Sequence, residues 1–170
     1  ANLVLRNIDQ FNATNQQAVN RIKGQALAIR GMAHFDLFRF WAESYDRTSS
    51  ALGIPYIEVV NPEAKPSRLT VQQSYDKIFA DLTTAETLLG DVDKTINTAT
   101  ARYYLDRTAV RAILARVNLY AKDYVQAENY ATLVINAIGL SNRTVFPNIW
   151  RDAAMGEVIW SVAFNLGEGV

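Results

Sequence analysis

From Gln16 to Tyr45 the chain runs without a proline, and its only glycines there are Gly24 and Gly31. Along this stretch Val19, Ile22, Ala26, Ile29, Ala33, Leu37 and Phe40 recur at helical spacing. Leu27, Phe35, Phe38, Trp41 and Tyr45 trace a second row. One apolar row makes a surface helix, whereas two rows require neighbours on more than one side. The stretch is therefore expected to be one long central helix of an all-helical packing, with Leu37 and Phe38 both in the core. Each interior glycine costs roughly 1 kcal/mol against alanine, so Gly24 and Gly31 are expected where another helix comes close.

Composition allows a core and narrows the partners. Apolar residues make up 49% of the 170, which fit one domain or part of a larger one. Basic and acidic residues balance at 17 each, so net charge points to neither nucleic acid nor an anionic membrane. No apolar run reaches the ~18 residues of a membrane span. The chain has no cysteine, hence no disulfide, thiolate nucleophile or cysteine-ligated zinc. It opens on ANLVLRN, without an initiator methionine and with the look of a helix interior. Residues 1–170 are thus expected to form one helical domain, a fragment or processed form of a longer chain.

Other elements follow from local signals. Residues 2–11 suit a short amphipathic helix through Leu3, Val4, Ile8 and Phe11, and Thr14 or Asn15 can cap the long helix. Residues 46–68 read as a long loop, with turn signals at Gly53-Ile54-Pro55 and Asn61-Pro62. Thr70 is expected to cap a helix whose apolar face is Val71, Tyr75, Ile78, Phe79, Leu82, Ala85, Leu88 and Leu89, ended by Gly90. A polar connection over 91–104 leads to a helix over 106–121, with Ala109, Ile113, Leu114, Val117, Leu119 and Tyr120 inward. Its partner over 123–138 carries Tyr124, Ala127, Ala131, Val134, Ile135 and Ile138. The joint is so short that the two must pack antiparallel. Phe146-Pro147-Asn148 reads as a turn, and 157–164 (EVIWSVAF) as a strand or extended segment. It either pairs with strands elsewhere or lies along the helices.

The 106–138 pair resembles a tetratricopeptide repeat in part. Small residues at Ala115 and Ala127 let two helices approach, and Asp123-Tyr124 and Tyr130 match the start of the second helix. Arg111 stands where the usual aromatic of the first helix would be, and an ordinary helical hairpin fits the same residues.

No catalytic constellation emerges, and neither an enzyme nor a cofactor is expected. His34 is the only histidine and lacks an i, i+4 metal-binding partner, so it reads as a packed structural residue. Asp36, Arg39 and Glu43 are spaced for ion pairing along a helix. Asp91 and Asp93 share a loop, where calcium is conceivable, but no EF-hand pattern surrounds them. Aromatic residues beside hydrogen-bonding ones are the chemistry of sugar recognition: a ring stacks on the apolar face of a pyranose while Asn, Asp and Arg bond its hydroxyls. Tyr45, Asp46 and Arg47, with Trp41 and Tyr56 nearby, form one such group. Trp150, with Asn148, Arg151 and Asp152, forms another. Trp41 also continues the helical row and is read as core. The candidate ligand-binding residues are Tyr45, Asp46, Arg47 and Trp150.

Five stretches in order carry a family resemblance. Arg21-x-x-Gly24-Gln-Ala26-x-x-x-Arg30-Gly-Met-Ala-His-Phe35-Asp36-Leu37-x-Arg39 resembles the helix signature of SusD-like (RagB/SusD) proteins. Gly53-Ile-Pro55, the helix from Arg68 to Ala85, the pair from Ala109 to Val134, and Glu157-Val-Ile159-Trp160 resemble the segments that follow it in that family. Gln25 replaces the family's glutamate, and Trp41-Ala42 its glycine. The resemblance implies a helical tetratricopeptide-like scaffold in a surface-exposed outer-membrane lipoprotein. Such a protein binds oligosaccharides or other nutrients without cleaving them and sits on a SusC-like TonB-dependent transporter. It implies that Arg30 and Asp36 tie helices together, and that this chain is a third to a half of the whole, without the lipid-bearing cysteine. A tetratricopeptide-type adaptor for protein partners is the alternative.

Overall fold

The computed structural model describes residues 1–90 and 100–162. They are helical, with no strand among them: α1 (Asn2–Asn7), a 3-10 turn (Ile8–Phe11), α2 (Gln16–Trp41), α3 (Val71–Leu89), a second 3-10 turn (Thr100–Tyr103), α4 (Arg107–Tyr120), α5 (Tyr124–Ala137) and the short α6 (Phe146–Ile149). Consecutive helices pack on one another, α1 on α2, α2 on α3, α3 on α4 and α4 on α5. The all-helical architecture around one long helix is as expected.

The boundaries are set by local hydrogen bonds. The Asn15 side chain accepts from the N–H of Ala18 and starts α2. Thr70 starts α3 in a reciprocal box with Gln73, and Gly90 ends it with φ +23°. Asp106 and Asp123 cap α4 and α5 in the same way, through the N–H groups of Ala109 and Gln126. Each such cap satisfies a donor that the first helical turn leaves open. Lys122, at φ +60°, makes the reversal between α4 and α5.

The core lies between α2, α3 and α4. Phe35 and Phe38 meet Tyr75, Ile78, Leu82, Val110, Leu114 and Val117, all essentially inaccessible. The Phe38 and Tyr75 rings sit 4.5 Å apart between centroids, and Phe35 meets Tyr120 edge-on at 5.4 Å. The glycines of α2 mark its approach to α3: a Cβ on Gly24 would stand 2.8 Å from Leu89 Cγ, and one on Gly31 3.1 Å from Leu82 Cγ.

Several expectations need correction. α2 stops at Trp41, not Tyr45, because Ala42 turns to extended backbone. Most of its first apolar row is not core: Val19 and Ala26 are buried, but Ile22, Ile29, Ala33, Leu37 and Phe40 are exposed, as is Trp41 of the second row. Leu119 of α4 is exposed while Val110 and Asn118 are buried. α5 buries none of its residues, and Tyr124 and Ile135 face outward. The cause is common to both helices. Among the described elements α5 packs only on α4, and α2, though it meets α1, α3 and α4, leaves these residues uncovered, so an apolar row predicts a contact without saying what supplies it. Phe146-Pro147-Asn148 is the start of α6 rather than a turn. The described part of 157–164 forms no strand. It lies along the helices, with Ser161 donating its N–H to the Arg102 carbonyl at 2.9 Å. Asp91, Asp93 and residues 163–164 fall outside the described residues.

Between α2 and α3 the chain makes a long excursion. Gly53 N–H donates to the Leu69 carbonyl at 2.7 Å, Leu69 N–H to Ile54 at 3.0 Å and Val71 N–H to Ala51 at 2.8 Å. A Cβ on Gly53 would stand 2.2 Å from Ser74 Oγ and 2.8 Å from the Thr70 carbonyl oxygen. Ser74 Oγ itself donates to that carbonyl and accepts from the Ile54 N–H. Gly53→Ala is therefore expected to cost about 1–3 kcal/mol, the range for overpacking a filled site. Thermal melting of the variant against the parent checks it.

Candidate functional site

Where α2 ends, Arg68 reaches back from the far side of the excursion. Its guanidinium donates to the carbonyls of Trp41 (2.9 Å), Leu52 (3.0 Å) and Gly53 (2.8 Å), and pairs with Glu43 at 3.3 Å. A cation on carbonyls that the last turn leaves open is what a helix C-terminus favours. Glu43 is thus paired across the excursion, not along α2, where Asp36 and Arg39 pair alone at 2.5 Å. Asp36 makes that pair within its own helix, not between helices as expected. Arg68 also holds Trp41 at the rim of a groove of about 410 Å³, which Leu37, Gly53, Ile54 and Pro55 line with it. Trp41 is 62% exposed, with the Phe40 ring edge-on to it at 5.7 Å. Reading Trp41 as core was wrong, since α2 presents it outward.

The turn after α2 carries three of the expected ligand residues. Asp46 closes it by accepting from the N–H and hydroxyl of Thr48, at 3.0 and 2.9 Å. These bonds hold its carboxyl below the ordinary carboxylate range. The Tyr45 hydroxyl donates to the Arg39 carbonyl at 2.6 Å, and its ring meets Tyr120 edge-on at 5.4 Å. The Arg47 guanidinium stacks 4.4 Å from the centre of the Phe79 ring, with Asp123 4.0 Å away. So Tyr45, Asp46 and Arg47 share one surface turn beside α3 and the start of α5, and each already serves the fold. Trp150 stands on another turn, after α6. It is 78% exposed, with Phe146 edge-on at 6.3 Å. A second cavity, about 350 Å³, lies between α2, α4 and residues 157–160, bordered by Asp36, Arg116, Glu157 and Trp160.

Tyr56 is not part of the 45–47 cluster. Its hydroxyl donates to Asp81 at 2.6 Å, and burial together with that bond raises its pKa. Asp81 also accepts two bonds from Arg30, at 2.6 and 2.7 Å. Arg30 does tie helices together, as its motif position suggests. Sequence reasoning gave Asp81 no role beyond its place in the Arg68–Ala85 motif, yet a signal was there: an acid inside the apolar row of Ile78, Leu82 and Ala85. A buried charge in such a row needs a partner.

Comparison with known proteins places these features among relatives. Residues 1–119 match a SusD-like family model described as starch-binding and associating with the outer membrane. A curated relative, SusD-like protein P38 of Formosa agariphila, is 24% identical over 159 residues, which are 94% of this chain and 28% of the relative. A SusD superfamily protein from Bacteroides thetaiotaomicron superposes with a TM-score of 0.73 at 30% identity, covering 87% of this chain and 32% of that one. A SusD-like carbohydrate binding protein from Bacteroides vulgatus gives 0.76 at 27% identity, covering 94% and 33%. The chain therefore spans about a third of the length of the relatives it matches.

Proposed function

This chain belongs to the SusD-like family, and we propose that it is the helical part of a non-catalytic protein that binds oligosaccharides or other nutrients at the bacterial cell surface. On this reading the whole protein delivers its ligand to a SusC-like TonB-dependent transporter. The observation that carries the proposal is the match of residues 1–119 to a family described as starch-binding and outer-membrane associated. No helix among the described residues is long and apolar enough to cross a membrane. Attachment through a lipid anchor outside these residues is part of the proposal.

Ligand contact is assigned to Tyr45, Asp46, Arg47 and Trp150. Among them Trp150 offers the most open plane, and the exposed face of Trp41 above its groove adds a further one. The test is calorimetric titration of the full-length protein against starch-type oligosaccharides, with an assay for new reducing ends. Binding without release of reducing ends is expected. Trp150→Ala is expected to weaken that binding about tenfold, or about 1.4 kcal/mol, as for loss of one stacking aromatic anchor. An unchanged affinity removes Trp150 from the site; turnover by the pure protein overturns the non-catalytic reading.

The outward row of α5, with Tyr124, Val125 and Ile135 exposed, favours one further reading, a tetratricopeptide-type surface for a protein partner. Affinity capture that recovers one soluble partner and no transporter would support that alternative.

A further inference from the structure

We propose that His34 is an acid-sensitive clasp: its neutral imidazole fastens the segment 54–58 to α2, and protonation lets that segment go. Both ring nitrogens have partners that allow one arrangement. Nδ1 lies 2.8 Å from the Arg30 carbonyl, which can only accept, so Nδ1 carries the hydrogen. Nε2 lies 2.9 Å from the Ile57 N–H, which can only donate, so Nε2 must offer its lone pair. A second proton on the ring would set one N–H against another and break the bond to Ile57.

The surroundings decide how readily that proton arrives. His34 is buried, with the Tyr56 ring stacked on it at 3.9 Å between centroids. Arg30, from the preceding turn of α2, repels a cation, whereas Asp81 of α3 and Glu58 of the segment itself attract one. Asp81 is already engaged by Arg30 and Tyr56, and Glu58 pairs with Lys77 of α3 at 2.7 Å. Burial is the largest effect and lowers the pKa below its ordinary 6.5. The sign follows: the folded state binds this proton less readily than the unfolded chain does. The stabilisation is complete above pH 6.5 and is lost as pH falls through the folded value.

The segment's other contacts do not involve the imidazole: Leu69 N–H donates to the Ile54 carbonyl at 3.0 Å, and Glu58 pairs with Lys77 at 2.7 Å and lies 3.9 Å from Arg30. Asn2 donates to the Ile57 carbonyl at 2.9 Å, the Tyr56 hydroxyl is bound to Asp81, and the Ile54 N–H donates to Ser74. Ile54 and Pro55 also wall the groove beneath Trp41, so release would reshape it. That last consequence rests on the groove being a ligand surface; the clasp itself does not.

Hydrogen exchange at the peptide spanning 54–60, followed by mass spectrometry in the intact protein and corrected for intrinsic rates, tests this. Protection of the Ile57 amide is expected to fall about tenfold between pH 7.5 and 5, as for loss of one buried hydrogen bond. His34→Gln, which keeps an acceptor but cannot titrate there, is expected to stay flat over the same range. Unchanged protection in the parent, or an equal fall in His34→Gln, overturns the proposal. Should His34→Gln fail to fold, the parent's midpoint decides: the imidazole range supports the clasp, and the carboxylate range near ~4 overturns it.

Discussion

Phe38→Asp is expected to leave this chain unfolded, whereas Leu37→Asp, one residue earlier, should keep a native melting curve within a few degrees. Phe38 is wholly inaccessible, with Tyr75 and Tyr45 against its ring. Removing a buried phenylalanine side chain costs about 3–5 kcal/mol. A carboxylate placed there has no cationic partner and adds a desolvation cost of several kcal/mol more. The sum takes most of the roughly 5–15 kcal/mol that holds a domain together. Leu37 is 42% exposed at the lip of the Trp41 groove, so its replacement stays near water. Circular dichroism with thermal melting separates the two, and a native Phe38→Asp variant would overturn the placement of the core.

Asp81→Ala is the second large effect, expected at about 3–5 kcal/mol, the cost of stranding one half of a buried ion pair. Arg30 is only 11% exposed in its side chain and Asp81 9%, so the guanidinium would remain among α1, α2 and α3 with only the more exposed Glu58, 3.9 Å away, as a carboxylate. Tyr56 would lose the acceptor of its hydroxyl at the same time. The loss should not add up pairwise. Arg30→Met combined with Asp81→Leu replaces both charges with apolar volume, and such replacements are often neutral or stabilising. A double-mutant cycle by urea denaturation should find the double variant more stable than Asp81→Ala alone. If the double variant is the less stable one, the ion pair itself, rather than the avoidance of a stranded charge, stabilises the packing.

What was legible in the sequence was whatever is decided over three or four residues. Asn15, Thr70 with Gln73, Gly90, Asp106 and Asp123 end or begin their helices through bonds to near neighbours, and each could be read by eye. Gly24 and Gly31 were legible as points of close approach because their cost needs a reason. The facing of α2 and α5 was not legible, because periodicity reports that a row is apolar and not where its cover comes from. The same blindness misplaced Trp41. At the candidate site, the composition of the 45–47 turn was visible, but its engagement with Arg39, Phe79 and Thr48 depends on α3 and on the path of the chain. The Arg30–Asp81–Tyr56–His34 network joins four positions up to 51 residues apart, and only the tertiary fold brings them together.

The excursion between α2 and α3 is tied off at its neck. Backbone bonds join 51–54 to 69–71, Arg68 locks the crossing, and every residue from 59 to 67 beyond it is exposed. Past the contacts of Ile57 and Glu58 with α1, α2 and α3, the stretch 59–67 bonds only within itself. Doubling the length of a flexible loop costs only about 0.6 kcal/mol in closure entropy, and here none of the core would be disturbed. The chain thus has one stretch whose length and chemistry can drift while the scaffold stays fixed, and it opens beside the Trp41 groove. A lineage could retune what that groove admits by rewriting these surface residues, leaving the core unchanged.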